Sequence, residues 1–393
     1  MTEAGILING CCLAAVELLT MKISYYMPFK PPGHGNPSGD LITGRELQEF
    51  LMSQNHHVDL VSSRRSRWIY WKPQALFQFR SEAERVCDRL RTDPTDLWLT
   101  YHTYYKAPDI LGPYCTKMLH LPYVIFQGIY STKRKRNFKT LPGFLLNRRA
   151  LRSAAQVFTN KKKDLNNLRR LLPEHRLSYV PPGIRPELFP FDPAARRELR
   201  DKWQVEDRLV ILCTAMLRPG VKTEGVRQVI KSCGALHRSS YKLLLVVIGD
   251  GRNRRILERE GRGILGPACL FPGRIERRDL HRYYSAADLF AFPGIEESLG
   301  MVYLEAQSTG LPVVAFGDWG ASEAVLHDRT GLLTPAGKTH EFTAAIERLL
   351  DESELRATMS EAAKRHVRCS HDLNKNYMQL AAKLEEIVHH RRL

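Results

Sequence analysis

Two glutamates, Glu297 and Glu305, lie eight residues apart in the stretch LFAFPGIEESLGMVYLEAQSTG. On one continuous helix that spacing does not put them on the same face. Here an apolar strand ends at Pro293, Glu297 follows in a loop, and a helix able to start at Gly300 carries Glu305 until Gly310 stops it. The loop carboxylate and the helical carboxylate can therefore point into one crevice, at the carboxyl end of a strand where open α/β sheets bind ligands. Between them, the backbone N–H groups of Ser298, Leu299, Gly300 and Met301 make a helix N-terminus, which favours a phosphate. Accepting carboxylates at either end of an anion site suit a sugar nucleotide, with its hydroxyl-rich sugar and ribose flanking a diphosphate.

Such a site needs parallel strands to hold it. From Met21 onward, short β-branched or aromatic runs alternate with amphipathic helical stretches and Gly/Pro punctuation, the pattern of parallel sheets with crossover helices. KISYYMPF, HHVDLVS, DLWLTYH, PYVIFQG, AQVFTN and LSYVPPG form a first group of expected strands. LVILCTAML, KLLLVVIGD, CLFPG, LFAFPG and PVVAFG form a second. The prolines of PPGIRPELFPFDP mark the linker, so the domains are expected at 21–186 and 187–370. A last helix, within 371–393, carries apolar residues at 377, 378, 380, 381, 384, 387 and 388, a stripe that must be buried. Residues 1–20 are expected to be an extension or an over-long start. Their apolar run is broken by Asn9 and Glu17, which fits neither a spanning helix nor a signal peptide.

At 393 residues, with 43% apolar and 26% charged side chains, the chain is too long for one ordinary core and too apolar for disorder. Its net charge of +17 implies an anionic partner. The excess is localised: residues 21–186 hold 28 Lys and Arg against 12 Asp and Glu, whereas 187–393 hold 31 against 28. Residues 131–170 alone carry 13 basic residues and one acid, Asp164. In that segment Lys133, Arg134, Lys135, Arg136, Lys139, Arg148 and Arg149 interleave with Phe138, Leu141, Phe144, Leu145 and Leu146, a pattern suited to an anionic membrane surface. The eight cysteines include no CxxC pair and no Cys/His cluster at zinc spacing, so neither a metal site nor a disulfide framework is expected.

The segment from Pro293 to Leu332 closely resembles the C-terminal signature of the retaining GT-B glycosyltransferases of family 4. The matching residues are Pro293-Gly294, Glu297 to Glu305, Glu305-Ala306, Gly310-Leu311-Pro312-Val313, Gly320, Glu323 and Thr330-Gly331-Leu332. YVPPGIRPELF, KLLLVVIGDGRNRRIL and CLFPGRIERRDLHRYYSAADLFAFPG extend the likeness from about residue 21 to the C-terminus. The resemblance implies two Rossmann-like domains facing a central cleft, with the last helix returning to the first domain. It implies a nucleoside diphosphate sugar in the second domain, no metal, and retention of anomeric configuration. Glu297 is then expected beside the reacting sugar and Glu305 at the ribose. Lys222 and Arg218 fall on the diphosphate, where fixed cations stabilise the leaving group. Gly249 and Gly251 border the nucleotide, and Arg274 and Ile275 line the base. In the first domain, Ser38 and Gly39 stand where relatives commonly have Gly-Gly, a loop that approaches a phosphate or acceptor. Gln127 replaces a histidine that many relatives place near the sugar, and His102, at the end of the preceding strand, is a second candidate.

The expected activity is therefore hexose transfer to a glycan or lipid-linked acceptor, as in surface-polysaccharide assembly, by a cytoplasmic enzyme peripheral on the inner membrane face, with no nucleic-acid partner. An epimerase or sugar-phosphate synthase on the same fold differs in needing no extended glycan acceptor. A polyanion-binding protein differs in retaining affinity for RNA or heparin after Glu297→Ala.

Overall fold

The computed structural model describes residues 20–35 and 39–392. The expected N-terminal extension and Ser38 therefore lie outside the described residues. The remainder forms two parallel six-stranded sheets. The first contains β1 (Lys22–Tyr26), β2 (His57–Ser62), β3 (Leu97–Thr103), β4 (Tyr123–Gly128), β5 (Gln156–Thr159) and β6 (Leu177–Tyr179), in the order β2-β1-β3-β4-β5-β6. The second contains β7 (Leu209–Thr214), β8 (Leu243–Ile248), β9 (Cys269–Gly273), β10 (Leu289–Ala291), β11 (Val313–Phe316) and β12 (Gly331–Thr334), in the order β12-β11-β10-β7-β8-β9. β8, LLLVVI, is buried along its whole length, as a strand covered by helices on both faces must be. Four-residue β12 was not among the expected strands. It is seated by Gly331, where any side chain would collide with the Val313 carbonyl oxygen.

The strand orders fix where ligands can bind. The winding direction reverses between β1 and β3 in the first sheet and between β7 and β10 in the second. At such a switch point the loops leaving the two strands diverge and open a crevice at their carboxyl ends. Glu297 follows β10 and Lys222 follows β7, so the second crevice gathers both.

Alternation along each strand divides the first domain's core between the two faces of its sheet. Leu99, Tyr101, Val124 and Phe126 fall in one buried cluster, and Trp98, Tyr123 and Ile125 in the other. The last helix, Leu373–Arg392, adds Leu373, Tyr377, Leu380, Ala381, Leu384 and Val388 to the first of these clusters. The chain therefore crosses back after completing the second domain, as the resemblance implies. Met378 of the expected stripe stays 46% exposed. The two crossings pair with each other: Ile184 N donates to the His371 carbonyl (2.9 Å), and Leu373 N donates to the Ile184 carbonyl (2.8 Å). His371 Nδ1 also lies 2.6 Å from the Pro182 carbonyl, so both linkers are fastened at one point.

Candidate active site in the cleft

A cavity of about 860 Å³ lies between the domains. Gly39, Ile42, Thr43 and Glu46, on one face of the helix Gly39–Ser53, form its first-domain wall. The second domain contributes Lys222, Gly249, Arg274, Ile275, Met301 and both Glu297 and Glu305.

Lys222 is the second residue of the helix Val221–Arg238 and pairs with Oε2 of Glu297. Its Nζ also lies 5.2 Å from the centroid of the Phe292 ring, which closes the cavity beneath it. Oε1 of Glu297 accepts from Ser298 N (3.1 Å), so one of the amides expected to meet a phosphate is partly occupied by the neighbouring carboxylate. Gly300 precedes the helix Met301–Ser308 with φ 71°. A Cβ there would lie 2.6 Å from the Gly320 carbonyl oxygen, which accounts for glycine on conformation and space alone. Met301 lines the cavity, whereas the Leu299 side chain is buried away from it.

Glu305 is buried, and its Oε2 accepts from the Tyr284 hydroxyl (3.1 Å). Burial pushes its carboxyl up to about 7, opposed by Arg277 and the Tyr284 hydrogen bond and reinforced by Glu46. Buried carboxyl groups with such shifts concentrate at ligand and catalytic sites.

Gly249 and Gly251 serve chiefly as backbone contacts. Both have positive φ, and a side chain at either would collide with the loop after β7, at the Ala215 and Leu217 carbonyls respectively. That loop and the Gly-Asp-Gly turn are tied together by Leu217 N donating to the Asp250 carbonyl (3.0 Å). Only Gly249 reaches the cavity wall.

Arg218, His102 and Gln127 also stand apart from the cavity. Arg218 is exposed, close enough to Lys30 of the first domain to act on its charge. Burial holds the Lys30 ammonium below its usual range, and Arg65, Arg218 and Arg67 act in the same direction, so cations of both domains gather there. His102 is buried at the end of β3 in a left-handed conformation (φ 62°), with Nδ1 3.4 Å from Oδ1 of Asp40 and its ring packed on Phe29 and Tyr104. Burial raises the Asp40 carboxyl, but His102, Lys161 and Lys30 outweigh it and hold the group below its usual range. Gln127 is the penultimate residue of β4, buried, with φ 59°.

Much of the Pro293–Leu332 signature proves to be architecture. Glu323 accepts from Lys162 N and the Tyr179 hydroxyl, both at 2.8 Å, and so bridges the domains. Ser298 Oγ accepts from Lys161 Nζ across the cleft (2.7 Å). Among the cavity-wall residues that sequence reasoning missed are Glu46 and Arg277. Arg277 Nη1 donates to Oε1 of Glu46 at 3.1 Å. Positions 39, 42, 43 and 46 share one face of a helix, but only the fold shows that this face borders the cavity, so the sequence carried no signal for Glu46.

The basic segment is arranged partly as expected. Lys133, Arg134, Lys135 and Arg136 occupy the short turn Thr132–Arg136 and are exposed, as are Lys139 and Arg149. Phe138 is 73% exposed and Leu145 also projects outward. Phe144 does not: it lies in the first-domain core against Tyr130, and Leu141 packs on the same cluster. Arg148 is half-buried. A neighbouring segment absent from the expected patch adjoins it, because Trp71 Nε1 donates to the Lys139 carbonyl (3.0 Å). Trp71 and, on the following helix, Phe77 are exposed. Among the described residues, no helix is long and apolar enough to cross a membrane.

Residues 195–366 match the family described as "Glycosyl transferases group 1". A GDP-mannose-dependent alpha-(1-6)-phosphatidylinositol monomannoside mannosyltransferase of Mycobacterium tuberculosis (strain CDC 1551 / Oshkosh) is 29% identical over 224 residues, 55% of this chain and 56% of the relative. An alpha-D-kanosaminyltransferase of Streptomyces kanamyceticus is 30% identical over 61% of this chain and 62% of its own length. The chain thus spans little more than half the length of these curated relatives in the matched region. Among solved structures, HepE of Anabaena in complex with UDP superposes with a TM-score of 0.74 at 19% identity, covering 93% of this chain and 100% of that one. Sucrose-phosphate synthase from Thermosynechococcus elongatus gives 0.72 at 18%, covering 94% and 99%. Strand order and superposition agree that the chain has the two-domain GT-B fold, and residues 195–366 of its second domain are similar to the glycosyl transferases group 1 family.

Proposed function

We propose that this protein transfers a hexose from a nucleoside diphosphate sugar, held by the second domain, to a glycan or lipid-linked acceptor presented by the first. The observation that carries this reading is the convergence of Glu297, Lys222 and Glu305 on one cavity at the second-domain switch point. Glu305 accepts from the ribose hydroxyls. Lys222 leaves Glu297 for the diphosphate and stabilises the charge that grows as the leaving group departs, which requires no metal. Glu297, released from Lys222, accepts from the sugar hydroxyls beside the reacting carbon. The names of the relatives support a nucleotide-linked sugar donor: the mycobacterial one is GDP-mannose-dependent, and HepE was crystallised with UDP-glucose. Retention of anomeric configuration follows the family 4 resemblance. The test is turnover of a panel of sugar nucleotides with the product's anomeric configuration read by NMR. Glu297→Ala is expected to reduce turnover about 10²- to 10³-fold, as loss of a group acting on the transition state does. Absence of turnover with every donor, or full activity in Glu297→Ala, contradicts the reading.

The acceptor side is read as docking on an anionic bilayer, at the cytoplasmic face, through Lys133 to Arg136 and Lys139, with Phe138, Leu145, Trp71 and Phe77 entering the headgroup region. Each basic side chain near such a surface contributes roughly 1 kcal/mol. Sedimentation with phosphatidylserine-containing vesicles is expected to fall sharply when Lys133, Arg134, Lys135 and Arg136 are all changed to Ser, and to fall with added salt. Equal binding to neutral vesicles removes the electrostatic part of this reading.

A further inference from the structure

Arg277 stands between carboxylates contributed by the two domains. Its Nη1 donates to Oε1 of Glu46 at 3.1 Å, and its Nε lies 4.0 Å from Oε1 of Glu305. All three residues line the same cavity. Glu46 is 6% exposed and shares its helix with the core residues Leu41, Leu47, Phe50 and Leu51. Its Oε2 is buried without a hydrogen-bond partner, and so is Arg277 Nε. Burial raises the Glu46 carboxyl above its usual range, with Arg277 and Arg185 opposing and Glu49 adding to it.

An ion pair kept only to hold two domains together gains nothing from burying an acceptor and a donor unused, because each unmade hydrogen bond is costly. Both groups border the cavity that also holds Glu305, and their unused capacities are complementary to hydroxyl groups. A hydroxyl can donate to a carboxylate and accept from a guanidinium at the same time.

We propose that Arg277 is a positioning residue that ties Glu46 of the first domain to Glu305 of the second, so that the ribose-binding carboxylate is set in place only in the closed cleft. The pair spans the cleft and exists only at this separation of the domains. When the donor's ribose bonds Glu305 and Arg277, it strengthens the same contact that holds Glu46. Donor binding and closure then favour each other by an equal factor, as linkage requires. Arg277, Tyr284 and Glu46 act on Glu305, so loss of the guanidinium removes a positive charge that opposes the effect of its burial. The proposal rests on the assignment of the cavity to the donor.

The test titrates UDP and GDP, and their deoxyribose counterparts, into the full chain as wild type, Arg277→Met, Arg277→Lys and Glu46→Gln, with small-angle scattering of each unliganded protein. Arg277→Met is expected to weaken ribonucleoside diphosphate binding about ten- to a hundredfold, the range for a hydrogen bond to a charged group. It is expected to change binding of the deoxyribose form far less, so that discrimination between the two collapses. Glu46→Gln, isosteric and without the charge, is expected to move both readouts in the same direction and to enlarge the radius of gyration. Arg277→Lys is expected to recover part of the affinity. A merely structural pair predicts equal losses for ribose and deoxyribose ligands. If wild type binds and both Arg277→Met and Glu46→Gln keep its discrimination, the positioning role is overturned while the donor site stands. If wild type binds neither UDP nor GDP, the donor assignment itself falls, and the positioning role with it.

Discussion

Glu305 is held where its ionised form is disfavoured, and this has a measurable consequence in the absence of any ligand. Its carboxyl is raised to about 7 in the folded protein, against about 4.3 for an unperturbed glutamate. The folded state therefore binds the proton more tightly, so this residue's contribution is full below the unfolded value and is lost as pH rises through 7. The difference amounts to about 4 kcal/mol at most. Glu305→Gln removes that dependence: the variant is expected to gain in thermal stability relative to wild type as pH rises from 4 to 8, while its donor affinity falls. A constant difference in melting temperature across that range contradicts the assignment. Such stability surrendered at one buried carboxylate is a common mark of a binding site. Glu297 and Glu305 were legible because a glycine between them marks a helix start, which converts their spacing into a direction. Arg277 and Glu46 were not, because they are 231 positions apart and meet only when the domains do.

Loops and helix starts carry the site, and their glycines are set by geometry. Gly249→Ala places a methyl group against the Ala215 carbonyl at a φ of 143° that side chains avoid. About 1–3 kcal/mol of destabilisation is expected, measured by urea unfolding, together with weaker donor binding, because the loop before Lys222 is displaced. Near-wild-type values for both would mean that this close packing does not position Lys222. Most strands were readable from their β-branched runs; β12 was not, since GLLT is short and polar-flanked and exists only by pairing with β11. The basic segment shows the opposite error. Its apolar residues were read as one outward set, but the helix Leu141–Ser153 turns Phe144 and Leu151 into the core and Leu145 and Arg149 outward. Helical periodicity sorts those residues, and composition does not.

Across the whole molecule, charge and chemistry are divided between the domains. The first domain holds nearly all of the +17 and presents it with exposed aromatic side chains. The second holds the carboxylates, with Lys222 paired in the cavity. The two are fastened at the crossing of Ile184 and Leu373 and touch again through Lys161, Tyr179 and Glu46, with the open cavity between the domains. Two sheets were legible from the alternation of strands and helices, and the apolar stripe after residue 373 showed only that a partner was needed. That the partner is the first domain was implied by the family resemblance, and the buried cluster there bears it out. The central claim is that this cavity receives a nucleoside diphosphate. The most direct measurement is the shift in melting temperature produced by UDP and GDP in wild type, Lys222→Met and Glu305→Ala. The account predicts that at least one nucleotide stabilises wild type by an amount that grows with its concentration, and that the gain is largely lost in both variants. An unshifted wild type, or an equal shift in all three proteins, would contradict it.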